Sequence, residues 1–174
     1  MLDILLKRKS IRSYTGENIS EEELKMILDA CECSPVGMKQ YESLHLTVIS
    51  NTELLKEIDE ATGKLFGKPD IYPLYGAPTF IIISSKKFRP GMENVMYSNA
   101  AIMSHNIALQ AAALNIGSCY IWGAIGAISN NQEIINKLNL PDDFVPCCGV
   151  ILGKTIEVYE KREITEKISK SFIK

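Results

Sequence analysis

Most of the short signatures that announce a particular chemistry are missing from this chain of 174 residues. There is no GxGxxG and no GxxxxGKS/T, so neither a Rossmann dinucleotide fingerprint nor a P-loop is supported. There is no GxSxG, the nucleophile elbow of the α/β-hydrolases. The five cysteines, Cys31, Cys33, Cys119, Cys147 and Cys148, are odd in number and contain no CxxC pair. A zinc or iron–sulfur centre needs repeated close spacing, so both are set aside and reduced, buried thiols are expected. An excess of either charge is also absent. Lys plus Arg is 19 and Asp plus Glu is 21, a net charge of −2, which argues against a bulk nucleic-acid binder. The first ten residues have no apolar core of the signal-peptide kind. The expectation is a cytoplasmic protein with no membrane or nucleic-acid partner.

An apolar fraction of 46% with 23% charged residues suits one globular domain. Ser20-Glu21-Glu22-Glu23 has the capping-box pattern and opens a helix that Pro35 must close. Residues 44–50 read as a strand, residues 51–66 as a helix and residues 67–76 as a loop long enough to be functional. Residues 78–84 (Pro-Thr-Phe-Ile-Ile-Ile-Ser) are apolar on both faces and read as a central strand. Residues 94–115 form the longest helical pattern, about 33 Å if regular. Asn99, Ser104, His105, Asn106 and Gln110 interrupt it too often for a bilayer. It fits a helix packed all round in a core or a dimer, with Gly117 as its stop. Residues 119–122 read as a short strand and Gly123 and Gly126 as turns. A second capping box pairs Asn130 with Glu133, and residues 144–152 read as a buried strand. From Gly153 onward the chain is polar and basic, without the apolar content for a core of its own.

Against this background Arg8-Lys9-Ser10-Ile11-Arg12 stands out. Three cations beside a hydroxyl suit a phosphate, because a guanidinium fork matches paired oxygens. On a helix Arg8 and Arg12 would share a face. The plainer alternative is a solvated basic helix end. Ser34-Pro35-Val36-Gly37-Met38 is a small, stiff loop after a helix, and its glycine allows close backbone approach. Tyr120-Ile121-Trp122-Gly123 offers backbone groups beside large rings. His45 and His105 read first as structural residues, and an apolar setting should leave Cys119 inert.

Taken in order, these segments resemble the nitroreductase family of FMN-dependent oxidoreductases, over residues 5–162. The arginine motif follows the family pattern Arg-Arg/His-Ser-x-Arg/Lys. The proline loop, the Ala77-Pro78-Thr79-Phe80 strand entry, the alanine-rich helix running into Gly117-Ser118-Cys119-Tyr120 and the basic pair Lys161-Arg162 fall in the family's order. Where many members continue with Gln-Pro-Trp, this chain has Gln40-Tyr41-Glu42-Ser43, and the loop at residues 67–76 is short.

The resemblance implies an α+β fold, a central and mostly antiparallel sheet flanked by helices, in a homodimer with FMN at the interface. It implies one domain over residues 1–174 whose tail, from about residue 154, crosses to the partner. Arg8, Ser10 and Arg12 would hold the ribityl phosphate and chain, with Lys9 at the pyrimidine edge or backbone and Lys161 and Arg162 adding charge at the phosphate. Pro35, Val36, Gly37 and Met38 of the other subunit would face the isoalloxazine, and Tyr120, Ile121, Trp122 and Gly123 would line it. The flavin carries the chemistry, so no catalytic acid or base is assigned. NADH or NADPH would donate and a nitroaromatic, quinone or flavin would accept, by a ping-pong route. Two alternatives are a non-catalytic FMN-binding sensor and a flavin-consuming or dehalogenating relative.

Overall fold

In the computed structural model, which describes residues 2–88 and 90–174, four strands make one antiparallel sheet. They are β1 (Leu44–Ile49), β2 (Thr79–Lys86), β3 (Gly117–Tyr120) and β4 (Phe144–Gly153), in the spatial order β1-β2-β4-β3. Among the described residues six α-helices accompany them: α1 (Leu2–Lys7), α2 (Glu21–Glu32), α3 (Thr52–Leu65), α4 (Glu93–Ala113), α5 (Gly123–Ser129) and α6 (Gln132–Lys137). Strand side chains alternate between faces. Phe80 and Ile82 of β2 therefore join Leu55 and Ile58 of α3 and Ile125 and Ile128 of α5. Ile81 and Ile83 join Ile27 of α2 and Met103 and Ile107 of α4 on the other face. All four β2 residues from Phe80 to Ile83 are fully buried, each worth about 1.5–3 kcal/mol. Gly149 of β4 lies under Phe80, and a Cβ there would run into the ring. The expected sheet flanked by helices is thus present, with every strand pairing antiparallel.

Local signals account for several boundaries. Ser20 Oγ accepts from Glu23 N–H at 3.1 Å while Glu23 Oε2 accepts from Ser20 N–H at 2.8 Å, the expected capping box of α2. Asn51 Oδ1 caps α3 through Leu54 N–H at 2.9 Å. Other boundaries differ from expectation. The second cap is Asn131, whose Oδ1 accepts from Glu133 and Ile134. Residues 123–129 are a helix, α5, rather than turns, because Ala124, Ile125, Ala127 and Ile128 are buried and that burial outweighs the low helix propensity of two glycines. The left-handed residue that ends α4 is Asn115, at φ 56, not Gly117. Gly117 begins β3 instead.

Helix α4 is buried on one stripe only. Met96, Asn99, Ala100, Met103, Ser104, Ile107, Ala108, Ala111 and Ala112 face the core. Tyr97, Ser98, Ala101, Ile102 and His105 face outward. Its apolar content on both sides hides this asymmetry from the sequence. Among the described residues no helix is long and apolar enough to cross a membrane.

Candidate functional site

Helix α1 ends at Lys7, and residues 8–12 leave it as a non-helical arm. The helix face expected to carry Arg8 and Arg12 does not form, because the arm is drawn onto β3 instead. Ile11, fully buried, donates its N–H to Ser118 O at 2.9 Å. The Tyr14 hydroxyl donates to Ile11 O at 2.8 Å. Gly117 permits this seating, since a Cβ there would lie 2.9 Å from the Tyr14 ring and 3.0 Å from Ile11.

Each arginine meets an aromatic ring. Arg8 Cζ stands 5.5 Å from the Tyr120 ring centroid and Arg12 Cζ 5.8 Å from that of Tyr75, within cation–π range. Among the described residues neither guanidinium has a carboxylate partner, and Arg8 Nη1 is buried with no hydrogen-bond acceptor. A buried cationic donor left in that condition is costly, which marks the place an anion would fill. Ser10 lies between the two on the same arm, partly exposed.

Tyr120 extends the cluster. Its hydroxyl and His105 Nδ1 are 2.8 Å apart, and its ring stacks on Trp122 at 19° with centroids 6.4 Å apart. Partial desolvation of the ring first, and the Arg8 charge second, push the His105 pKa below its ordinary 6.5. His105 is therefore neutral near pH 7, and Nδ1 can accept the tyrosine proton. Burial pushes the Tyr120 pKa up while Arg8 opposes it, so the hydroxyl keeps its proton. Ile121 is anchored through its N–H to Gly149 O at 2.9 Å. Gly123 sits against the Phe66 ring, where a Cβ would come within 2.9 Å.

The proline loop sits on α4. Gly37 N–H donates to Asn99 Oδ1 at 3.0 Å, and Asn106 Nδ2 donates to Ser34 Oγ at 2.9 Å. Val36 is buried, while Pro35, Gly37 and Met38 are exposed. The loop at residues 67–76 is tethered: Asp59 Oδ1 accepts Leu74 N–H at 2.8 Å, which fixes the turn that carries Tyr75.

The remaining expected site residues are engaged elsewhere within this chain. Lys9 pairs with Glu157 at 3.1 Å and Lys161 with Asp3 at 2.5 Å. Arg162 Nη2 donates to Leu5 O at 3.2 Å. Of the residues the sequence reading assigns to the site, Arg8, Tyr120 and Trp122 meet through their side chains, and Arg12 meets Tyr75; Tyr75, Asn99 and Asn106 have no assignment in that reading, and His105 is structural in it. An isolated tyrosine or asparagine carries no pattern, and only the fold makes these neighbours.

Three of the cysteines are held inert by burial. All five are free, and four are buried; the exception to the expected burial is Cys33. Burial pushes Cys31 and Cys148 up to about 12 and Cys147 up to about 11, so these thiols are protonated and inert. Among the described residues no group of three His, Cys, Asp or Glu could hold a metal ion. His45 makes an edge contact with Phe144, centroids 6.2 Å apart, a packing role. Two carboxylate-free guanidiniums beside a hydroxyl and a set of aromatic faces suit a ligand with an anionic end and a flat ring.

The nitroreductase family profile matches residues 5–72 and 72–154, and the chain belongs to the nitroreductase family. A Methanothermobacter thermautotrophicus protein with the provisional name NADH dehydrogenase/NAD(P)H nitroreductase is 28% identical over 163 residues, 90% of this chain and 78% of its own length. The FMN reductase [NAD(P)H] of Bacillus subtilis is 29% identical over 168 residues, 86% of this chain and 63% of its own. Among solved structures, a Bacteroides fragilis nitroreductase with bound FMN superposes with a TM-score of 0.81 at 26% identity, covering 99% of this chain and 98% of that one. A Desulfitobacterium hafniense nitroreductase, also with bound FMN, shares the fold with a TM-score of 0.84 at 23% identity, covering 99% and 97%.

Proposed function

We propose that this chain is an FMN-dependent oxidoreductase that draws electrons from NADH or NADPH and delivers them to a planar acceptor such as a nitroaromatic, a quinone or a flavin. The observation that carries the reading is Arg8, a guanidinium with a buried, unpartnered Nη1 beside an aromatic stack. The donors present fit FMN: Arg8, Ser10 and Arg12 hold its phosphate and ribityl chain, and Tyr120, Ile121, Trp122 and Gly123 line its ring. When bound, FMN supplies the two-electron chemistry, taking hydride from the nicotinamide and giving it up to the acceptor in a ping-pong sequence.

The protein's own part is position and charge. The Arg8 and Arg12 cations favour an anionic ligand, and their ring contacts restrict where each fork points. The neutral His105 holds the Tyr120 hydroxyl and so steadies the ring under Arg8. No side chain need gain or lose a proton for turnover.

The working unit is a homodimer with FMN at the interface. Supporting this, the outward face of α4 presents Tyr97 and Ile102. The end of the tail is also open. Tyr159, whose hydroxyl donates to Ile116 O at 2.7 Å, and the ties of Lys161 and Arg162 to α1 hold it as far as residue 162; beyond that Ile164, Ile168, Phe172 and Ile173 are all exposed, Ile173 at 99%. A cavity of about 500 Å³ opens between this last segment and α1. A partner subunit that receives this tail buries those side chains and brings Pro35, Val36, Gly37 and Met38 to the ring. Five unpaired cysteines fit a cytoplasmic setting.

The test is the visible spectrum of the pure protein saturated with FMN, followed by anaerobic addition of NADH or NADPH. A yellow protein that releases FMN on denaturation and is bleached by a nicotinamide is expected. FAD in place of FMN, or no bound flavin, removes the reading; binding without bleaching moves it to a flavin-binding sensor.

A further inference from the structure

The geometry points to Asn99 as a positioning residue that sets the shape of the loop at residues 34–39, with Asn106 as the second anchor. This rests on the reading of that loop as a wall of the FMN site. Asn99 and Asn106 are seven residues apart on α4, two helical turns, and so project from one side. Asn99 Oδ1 accepts the Gly37 N–H and Asn106 Nδ2 donates to Ser34 Oγ, so the helix grips the loop at two points.

The amide of Asn99 can face only one way, because only its oxygen accepts the Gly37 N–H. Its Nδ2 is then left without a partner among the described residues, in a side chain 3% exposed. An apolar side chain of similar size would escape that desolvation cost. Asn99 therefore serves the loop rather than the core around it. Gly37 completes the fit: a Cβ there would lie 3.2 Å from Val95 Cγ1 and 3.4 Å from Asn99 Oδ1. The next two residues, Met38 at φ 58 and Lys39 at φ 57, are both left-handed. Two successive non-glycine residues in that region persist only where their surroundings dictate it. Lys39 N–H closes the turn on Val36 O at 3.0 Å, and Met38 is left 57% exposed. His105, next to Asn106 on the same helix, holds Tyr120, so in the dimer each α4 carries the Tyr120 wall of its own subunit's site and the loop that subunit lends to its partner's.

The experiment uses FMN-loaded full-length protein with NADH and menadione, and begins with the native chain. Failure of the native chain to bind FMN and turn over removes the reading of the site itself. With that established, Asn99→Leu is expected to keep or raise the thermal midpoint and to change the visible circular dichroism of bound FMN. It should also raise the KM for menadione about tenfold, the scale of a sub-ångström misplacement. Asn99→Asp, which keeps an acceptor for Gly37, should recover most of the KM and the dichroism. Asn106→Ala should move both in the same direction by less. Native KM and dichroism in Asn99→Leu overturn the inference, as does Asn99→Asp failing to improve on it. If Asn99→Leu does not fold, native KM and dichroism in Asn106→Ala overturn it.

Discussion

The chain carries two basic clusters, one near each end, and they are used in opposite ways. In the tail, Lys161 meets the Asp3 carboxylate and Arg162 meets the Leu5 carbonyl. These cations are occupied, and they tie one segment of chain to another. In the N-terminal arm, Arg8 and Arg12 lie over aromatic rings with no carboxylate partner. An aromatic face orients a guanidinium without neutralising it, so both keep their charge for something else. A cation's surroundings, more than its charge, separate a structural tie from an anion site.

That contrast can be broken first at the tail. Removing residues 161–174 deletes Ile164, Ile168, Phe172 and Ile173, each worth about 1.5–3 kcal/mol if fully buried by a partner. The expected result is dissociation to monomers and loss of tight FMN binding, read by sedimentation and flavin fluorescence. A stable dimer after truncation would leave the tail with no role in assembly.

The next largest effect belongs to Arg8→Ala. A charge-assisted contact is worth about 1.5–3 kcal/mol, so FMN affinity should fall by about one to two orders of magnitude. Riboflavin, which has no phosphate, should bind as before. Equal losses for both ligands would make Arg8 a structural tie like Arg162. Arg12→Ala should follow the same pattern with a smaller loss, because Arg12 is the more exposed. Arg12→Lys should recover part of it, restoring charge but not the fork. Titrations with the two flavins decide each case.

The smallest effect lies in the tail tie itself. The hydrogen bond from Lys161, and then that from Lys7, hold the Asp3 pKa below its ordinary 3.8. The lowered folded value means the tie is present above pH 3.8 and is lost as pH falls through the lower one. Faster amide exchange in α1 at acid pH, absent from Asp3→Asn, is expected. An identical acid response in that variant would show that Asp3 is not the titrating group.

The fold was legible where burial writes a period into the sequence. β2 declared itself by its apolar run, and α2 by its capping box. What failed did so for physical reasons. Helix α5 was hidden because its two glycines read as turns until its packing is known. The buried stripe of α4 was hidden because both its faces are apolar. The site was half legible: adjacent residues of one motif, Arg8 to Arg12, are visible as such, but their geometry as an arm against β3 depends on Ile11 and Ser118. Tyr75 and Asn99 come from distant parts of the chain, and no spacing rule joins them to the arginines.

The strand order has a consequence for how the molecule is made. β4 follows β3 in the chain, yet it lies between β2 and β3. During translation β1 and β2 can pair as soon as Lys86 has emerged, but β3 has no neighbour until β4 arrives. Through that interval the free edge of β2, whose residues 79–85 are all buried in the finished fold, is open to other nascent chains. The strand that anchors the finished core is thus also the point where an unfinished chain is most exposed to aggregation.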